Sequence, residues 1–308
     1  MSYVVDVYRN PTKAQRSIGN VALYISFFPQ LIAGPIVRYS SVSEAIAFRK
    51  ESFDDFSEGI CRFVRGLAKK VLLANSFAYA VDSIFAGSLR SGMLSWMGAL
   101  FYAFQIFYDF SGYSDMAIGL GLMFGFRFDE NFNYPYYAKS LTDFWRRWHI
   151  SLSTWFRDYL YIPLGGSKTQ SKMRWFRNLM IVWTATGIWH GANWTFLVWG
   201  ILYGLILAAE KTIFRNKGEN FTPHSIYRVV TIVIILMQWV MFRSDSVSAA
   251  LHYYADMLLI SGNRIIDARS LAFMREYWVF TTIALLLSVP WTILEDFFET
   301  LNPGATIK

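Results

Sequence analysis

The chain is 308 residues long, 54% hydrophobic and 19% aromatic but only 17% charged, with a formal net charge of +7 and a mean hydropathy of +0.29. Soluble domains carry about 25% charge, so the composition argues against a disordered chain, a polar solenoid and a soluble enzyme, and leaves a polytopic integral membrane protein as the leading class. The one cysteine, Cys61, excludes an intrachain disulfide and any multi-cysteine zinc or iron–sulfur site.

In chain order, Met1 leads into a polar stretch over 6–16 without a secretory signal pattern. The first apolar segment is then expected to serve as the insertion signal. That segment, 17–37, is interrupted by Pro29, Gly34 and Pro35. Cys61 reads as a packed thiol rather than an acyl relay. Residues 66–89 form a weaker span, broken by Lys69, Lys70 and Asp82.

Residues 91–126 carry only two charges, Asp109 and Asp115. A spanning helix needs about 20 residues, so the excess length is expected to be tilted or interfacial helix. The two acids read as structural, capping a helix break at Ser111–Gly112 or pairing with arginines of 140–161. A proton or cation path is the alternative. Gly119, Gly121 and Gly125 read as a packing face, with no Lys-Ser/Thr to make a phosphate loop.

Residues 127–177 hold nine Lys or Arg, against Arg90 alone in 87–95. The positive-inside rule places 127–177 on the cytoplasmic side. These charges lie between apolar stretches, as juxtamembrane charges do, and no nucleic-acid-binding footprint accompanies them. Within this stretch 140–161 reads as one amphipathic interfacial helix, with Ser140 as N-cap and Asp143 at its third position. Its apolar face holds Trp145, Trp148, Leu152 and Trp155, with His149 at the border and Arg146 and Arg147 opposite. The uncharged run 178–209 predicts a membrane hairpin, with Lys211, Arg215 and Lys217 returning to the cytoplasmic side. Shorter runs cover 229–242 and 277–294. Six membrane segments are expected in all, in one membrane domain over 1–308.

Two histidines stand out. His190 is the only ionisable side chain in 178–209, and Gly187 and Gly191 flank it. Glycines there permit a break or a close helix approach, and an intramembrane ionisable residue points to function. The alternative is a structural histidine bonding a neighbouring helix. His149 could act as a base or orient a partner, or simply snorkel among tryptophans. His224 and His252 sit in polar surroundings and read as exposed. Four scattered histidines offer no metal spacing, and no Gly-x-Ser-x-Gly elbow occurs. From the residues alone, an acyltransferase and a proton-coupled transporter stay open.

Five longer motifs narrow this choice: Phe28–Arg38 (FPQLIAGPIVR), Asp109–Met116 (DFSGYSDM), Phe144–Ser153 (FWRRWHISLS), Phe156–Gly166 (FRDYLYIPLGG) and Gly187–Ala192 (GIWHGA). In this order they resemble the membrane-bound O-acyltransferase (MBOAT) family, and within it the bacterial members that O-acetylate exported polysaccharides such as alginate. The resemblance implies an all-α integral membrane fold, a polytopic helical bundle with interfacial amphipathic helices, in the bacterial inner membrane. It maps the catalytic histidine onto His190 and the second family histidine onto His149. Trp148, Trp189, Asn193 and Arg146 become candidate substrate contacts. It implies no permanent cofactor or metal, cytoplasmic acetyl-CoA as donor, and a periplasmic SGNH-type acetyltransferase between the membrane protein and its polysaccharide. D-alanyl transfer to teichoic acid is the alternative inside the family. The family's first helices and last apolar segment have no counterpart in these residues, so the chain is expected to correspond to part of a family member.

Overall fold

A computed structural model of the chain describes residues 2–31, 34–87, 90–169, 171–214 and 225–293; Arg215, Lys217 and His224 lie outside them. Among the described residues there are thirteen α-helices and no strand. Three short ones come first, α1 (Ser2–Arg9), α2 (Ile18–Ser26) and α3 (Tyr39–Phe48). The run 17–37 is therefore not a spanning helix. α2 stops after nine residues, and the chain turns through a 3-10 turn at Phe28–Gln30. Pro29 has no N–H with which to continue the helical ladder.

α4 (Phe53–Ala68) passes through a π-turn, Lys69–Ala74, into α5 (Asn75–Ala86). Ser52 caps α4 by accepting the Asp55 N–H at 3.0 Å. Cys61 is exposed on α4 rather than packed, on a face that also exposes Ile60 and Val64.

α6 (Gly92–Met123) is one helix of 32 residues, about 48 Å long at 1.5 Å per residue. The expected break at Ser111–Gly112 is absent. Gly112 serves close packing instead: a Cβ there would lie 2.7 Å from Gly66 O, and one on Gly59 would lie 2.6 Å from Gly119 O. These contacts set α4 directly on α6. Asp109 and Asp115 cap nothing, and their partners are not the arginines of 140–161. Asp115 pairs with Arg62 at 2.8 Å and Lys69 at 2.6 Å, and Asp109 pairs with Lys70. The π-turn, wider than an α-turn, lets two consecutive lysines reach the same helix.

The segment 140–161 is three pieces rather than one helix: α7 (Leu141–Arg147), α8 (Ile150–Phe156) and a π-turn, Arg157–Tyr161. Ser140 is the N-cap, accepting the Asp143 N–H at 3.1 Å. The break has a physical cause. The loop 131–133 takes bonds that a continuous helix would make internally. Asn133 N–H donates to Arg147 O at 2.9 Å, and Ile150 N–H donates to Asn131 O at 3.0 Å.

α9 (Lys172–His190) and α10 (Trp194–Ile213) form the expected hairpin. α11 (Ser225–Arg243), α12 (Val247–Met257) and α13 (Ala268–Leu287) follow. Among the described residues three helices, α10, α11 and α13, are long and apolar enough to cross a membrane, against the six segments expected. α6 and α9 have the length. However, α6 contains two acids among many Gly, Ser and Tyr residues, and α9 opens with Lys172, Arg174 and Arg177. The core gathers around α6, where Phe101, Phe104 and Tyr108 join Phe77, Trp239 and Tyr253 from α5, α11 and α12.

One buried carboxylate fixes the start of α7. Glu210, 5% exposed near the end of α10, accepts Leu141 N–H at 2.8 Å, Thr142 N–H at 2.9 Å, Tyr227 O–H at 2.6 Å and the Thr142 hydroxyl. It satisfies amides that the first turn of a helix leaves free and places a negative charge where the helix dipole favours it. Glu210→Gln turns an amide NH2 toward these donors. A buried donor left without an acceptor costs about 1–3 kcal/mol. The midpoint of thermal unfolding in detergent is expected to fall by several degrees, and Thr142→Val, which removes one hydroxyl, should fall less.

Candidate active site

His149 sits in the break between α7 and α8. Trp148 is extended there, and His149 has φ 45° and ψ 54°, in the left-handed region. This turn carries the imidazole inward from α7 and α8, and the residue is 5% exposed. Its Nδ1 lies 3.2 Å from Asn131 Oδ1. The Phe110 ring of α6 meets it edge-on at 4.6 Å. Burial, and secondarily the nearby His190, push its pKa down to about 3. The ring is therefore neutral at physiological pH.

His149 opens on a cavity of about 590 Å³, whose other walls include Tyr24, Gln30, Ile36, Phe110 and Trp189. That volume lies within the range of small-ligand sites. Much of the wall comes from the Phe28–Arg38 motif, which supplies backbone and apolar surface.

His190 ends α9, about 27 Å along it from Lys172. Gly191 follows with φ +150°, and a Cβ there would lie 2.9 Å from the Phe196 ring. Glycine is thus needed both for the turn and for the space. The imidazole packs among Trp189 at 5.0 Å, Trp199 at 5.2 Å and Phe242 at 5.1 Å, centroid to centroid. Trp189 also lies 6.2 Å from the His149 ring. One tryptophan therefore touches both imidazoles and faces the cavity.

The remaining sequence candidates scatter. Trp148 is 4% exposed and belongs to the core, stacked on Phe144 and 5.0 Å from Trp239. Asn193 caps α10 by accepting Thr195 N–H at 3.2 Å, and donates to Asp245 O at 3.1 Å. It holds the hairpin tip rather than lining the cavity. Arg146 lines a separate cavity of about 210 Å³ with Trp145, Trp183 and Arg157. Leu152 faces both cavities, so α8 is the partition between them. His252 is exposed and lies 2.8 Å from Ser248 O.

Three residues of the site escaped the sequence reading: Asn131, Ser151 and Phe110. Asn131 is 1% exposed. The available signal was an asparagine inside an aromatic, proline-containing loop, Asn131–Tyr137, where a buried amide needs polar partners.

Residues 13–250 match the family model described as MBOAT, membrane-bound O-acyltransferase family. The relative named probable alginate O-acetylase AlgI of Azotobacter vinelandii is 46% identical over 257 residues, 83% of this chain and 51% of its own length. Its namesake in Pseudomonas syringae pv. tomato is 42% identical over 302 residues, 97% of this chain and 57% of its own. A teichoic acid D-alanyltransferase of Bacillus subtilis is more distant, 29% identical over 249 residues, 75% of this chain and 61% of its own. The chain thus spans about half to three-fifths of the length of these relatives.

Proposed function

Because this chain belongs to the membrane-bound O-acyltransferase family, we propose that it moves an acetyl group from cytoplasmic acetyl-CoA across the membrane for O-acetylation of an exported, alginate-like polysaccharide. The observation that carries the site is the cavity at His149, with Trp189 rather than His190 in its wall. His149 and Trp189 stand in its wall, and His190 follows Trp189 directly. In this reading His190 is the catalytic group, serving an acceptor hydroxyl as general base or passing the acyl group through its own ring. His149 orients the donor. Trp189 separates the two, and Arg146 stands at a second, cationic opening behind α8.

The nine basic residues of 127–177 support a cytoplasmic donor side. His190, at the end of α9, comes close to His149 of that stretch through Trp189, so the two imidazoles serve one site. The protein works as a multi-pass component of the bacterial inner membrane, with lipid around it, and passes the acetyl group to a periplasmic SGNH-type acetyltransferase. The greater similarity to alginate O-acetylases than to a D-alanyltransferase supports acetyl as the group carried.

The test is thioester turnover. Membranes bearing the chain, supplied with acetyl-CoA and a hydroxyl acceptor, are expected to release free CoA and acetylate the acceptor. Coupled proton flux without thioester turnover would replace this reading with the transporter.

A further inference from the structure

Asn131, Ser151 and Ile36 surround His149 with hydrogen bonds whose donors can all be identified. The backbone N–H of Ser151 donates to Asn131 Oδ1 at 3.2 Å. A backbone N–H can only donate. The atom facing it must therefore be the amide oxygen, which settles the orientation of the Asn131 side chain. The Ser151 hydroxyl accepts the Ile36 N–H at 3.0 Å, and its one hydrogen goes to the same Oδ1 at 2.8 Å rather than to His149 Nδ1, 3.5 Å away. The same Oδ1 lies 3.2 Å from His149 Nδ1. An oxygen accepts, so Nδ1 carries the hydrogen. In a neutral imidazole the other nitrogen, Nε2, then has the lone pair.

We infer that Asn131 is a positioning residue that locks His149 in the Nδ1–H tautomer, leaving Nε2 as a hydrogen-bond acceptor toward the cavity. The inference rests on the proposed function only for what occupies that cavity. It also narrows the role of His149. A neutral imidazole with its hydrogen on Nδ1 cannot donate from Nε2, so it does not stabilise a developing oxyanion there. It receives a hydrogen from the bound molecule, one carried by a hydroxyl, an amide or a thiol.

The lock is tied to the cavity wall. Ile36, whose N–H reaches Ser151, lines the same cavity between Pro35 and Val37. Displacement of that wall would pull on the hydroxyl that shares Oδ1 with His149. The amide pays for its place: Asn131 Nδ2 is buried without a partner.

The experiment is nitrogen NMR of the chain carrying 15N-labelled histidine, in lipid bilayers. The chain has four histidines, and the His149 signals are identified by their loss in His149→Asn. A protonated Nδ1 and a bare Nε2 are expected at His149. A protonated Nε2 in the unaltered protein would overturn the inference without recourse to any variant. Asn131→Leu should abolish the single tautomer; an unchanged Nδ1–H signal there would also overturn it. A second readout is kinetic. Asn131→Asp puts a carboxylate against Nδ1 and favours the imidazolium, by roughly 1–3 pH units for an opposite charge at this range. The acid limb of the turnover profile should move to higher pH by a comparable amount, and an unmoved limb would count against the lock. Full turnover in His149→Asn would instead defeat the role given to His149 in the proposed function. The tautomer would still be decided by NMR.

Discussion

Acyl transfer is expected to vanish in His190→Gln, with expression and stability in detergent close to those of the unaltered protein. Glutamine keeps a hydrogen-bonding amide near the imidazole's place, but it cannot take a proton or carry an acyl group. Loss of a general base costs about 10²–10⁴-fold in rate. Loss of a covalent relay costs more. Stability should survive because the contacts of His190 are with Trp189, Trp199, Phe196 and Phe242. A flat side chain of similar reach preserves most of them. The measurements are acetyl content of the acceptor and release of free CoA. Turnover within a few-fold of normal would remove His190 from the chemistry.

The second large effect is expected at His149, and it should have a different kinetic form. His149→Ala removes a ring that meets Phe110 at 4.6 Å and lines the 590 Å³ cavity. A group that positions the donor contributes in ground and transition states alike, so its loss raises KM for acetyl-CoA more than it lowers kcat. A fall of about 10-fold or more in kcat/KM is the expected size for one lost, partly buried hydrogen bond. A change confined to kcat would instead place His149 in the reacting step beside His190.

Sequence reading reached the local features and stopped at the distant ones. The α9–α10 hairpin, the Ser140 cap and the packing role of Gly119 follow from composition and spacing over a few residues. The break at Trp148–His149 does not. Its cause is the loop 131–133, which takes backbone bonds from α7 and α8 across 14 and 19 positions of chain. Periodicity over 140–161 was intact, so the pattern alone predicted one helix. The ion pairs of Asp109 and Asp115 were hidden for the same reason. Lys69 and Lys70 read as interruptions of a weak span, yet they are the partners of those acids on α6. In the site, both histidines were visible as unusual residues in apolar surroundings. Asn131 was not, because nothing in its neighbourhood announces that its side chain faces a residue 18 positions away.

The left-handed backbone at His149 also restricts which residues can replace it over the course of sequence drift. At φ 45° and ψ 54° a Cβ crowds the following carbonyl, which costs about 1–2 kcal/mol for an ordinary side chain. Asn, Asp and Gly bear this conformation best, histidine is enriched in it, and β-branched residues fit it poorly. Of these, Asp would bring a charge into a buried site, and Gly would leave the cavity wall open. Asparagine is the one substitute that keeps the turn and still presents a hydrogen-bonding end near the cavity. Asparagine at position 149 would therefore keep the turn while losing the acceptor nitrogen of the ring. Appearance of Val, Ile or Thr there would mark a protein whose α7–α8 junction has been rebuilt.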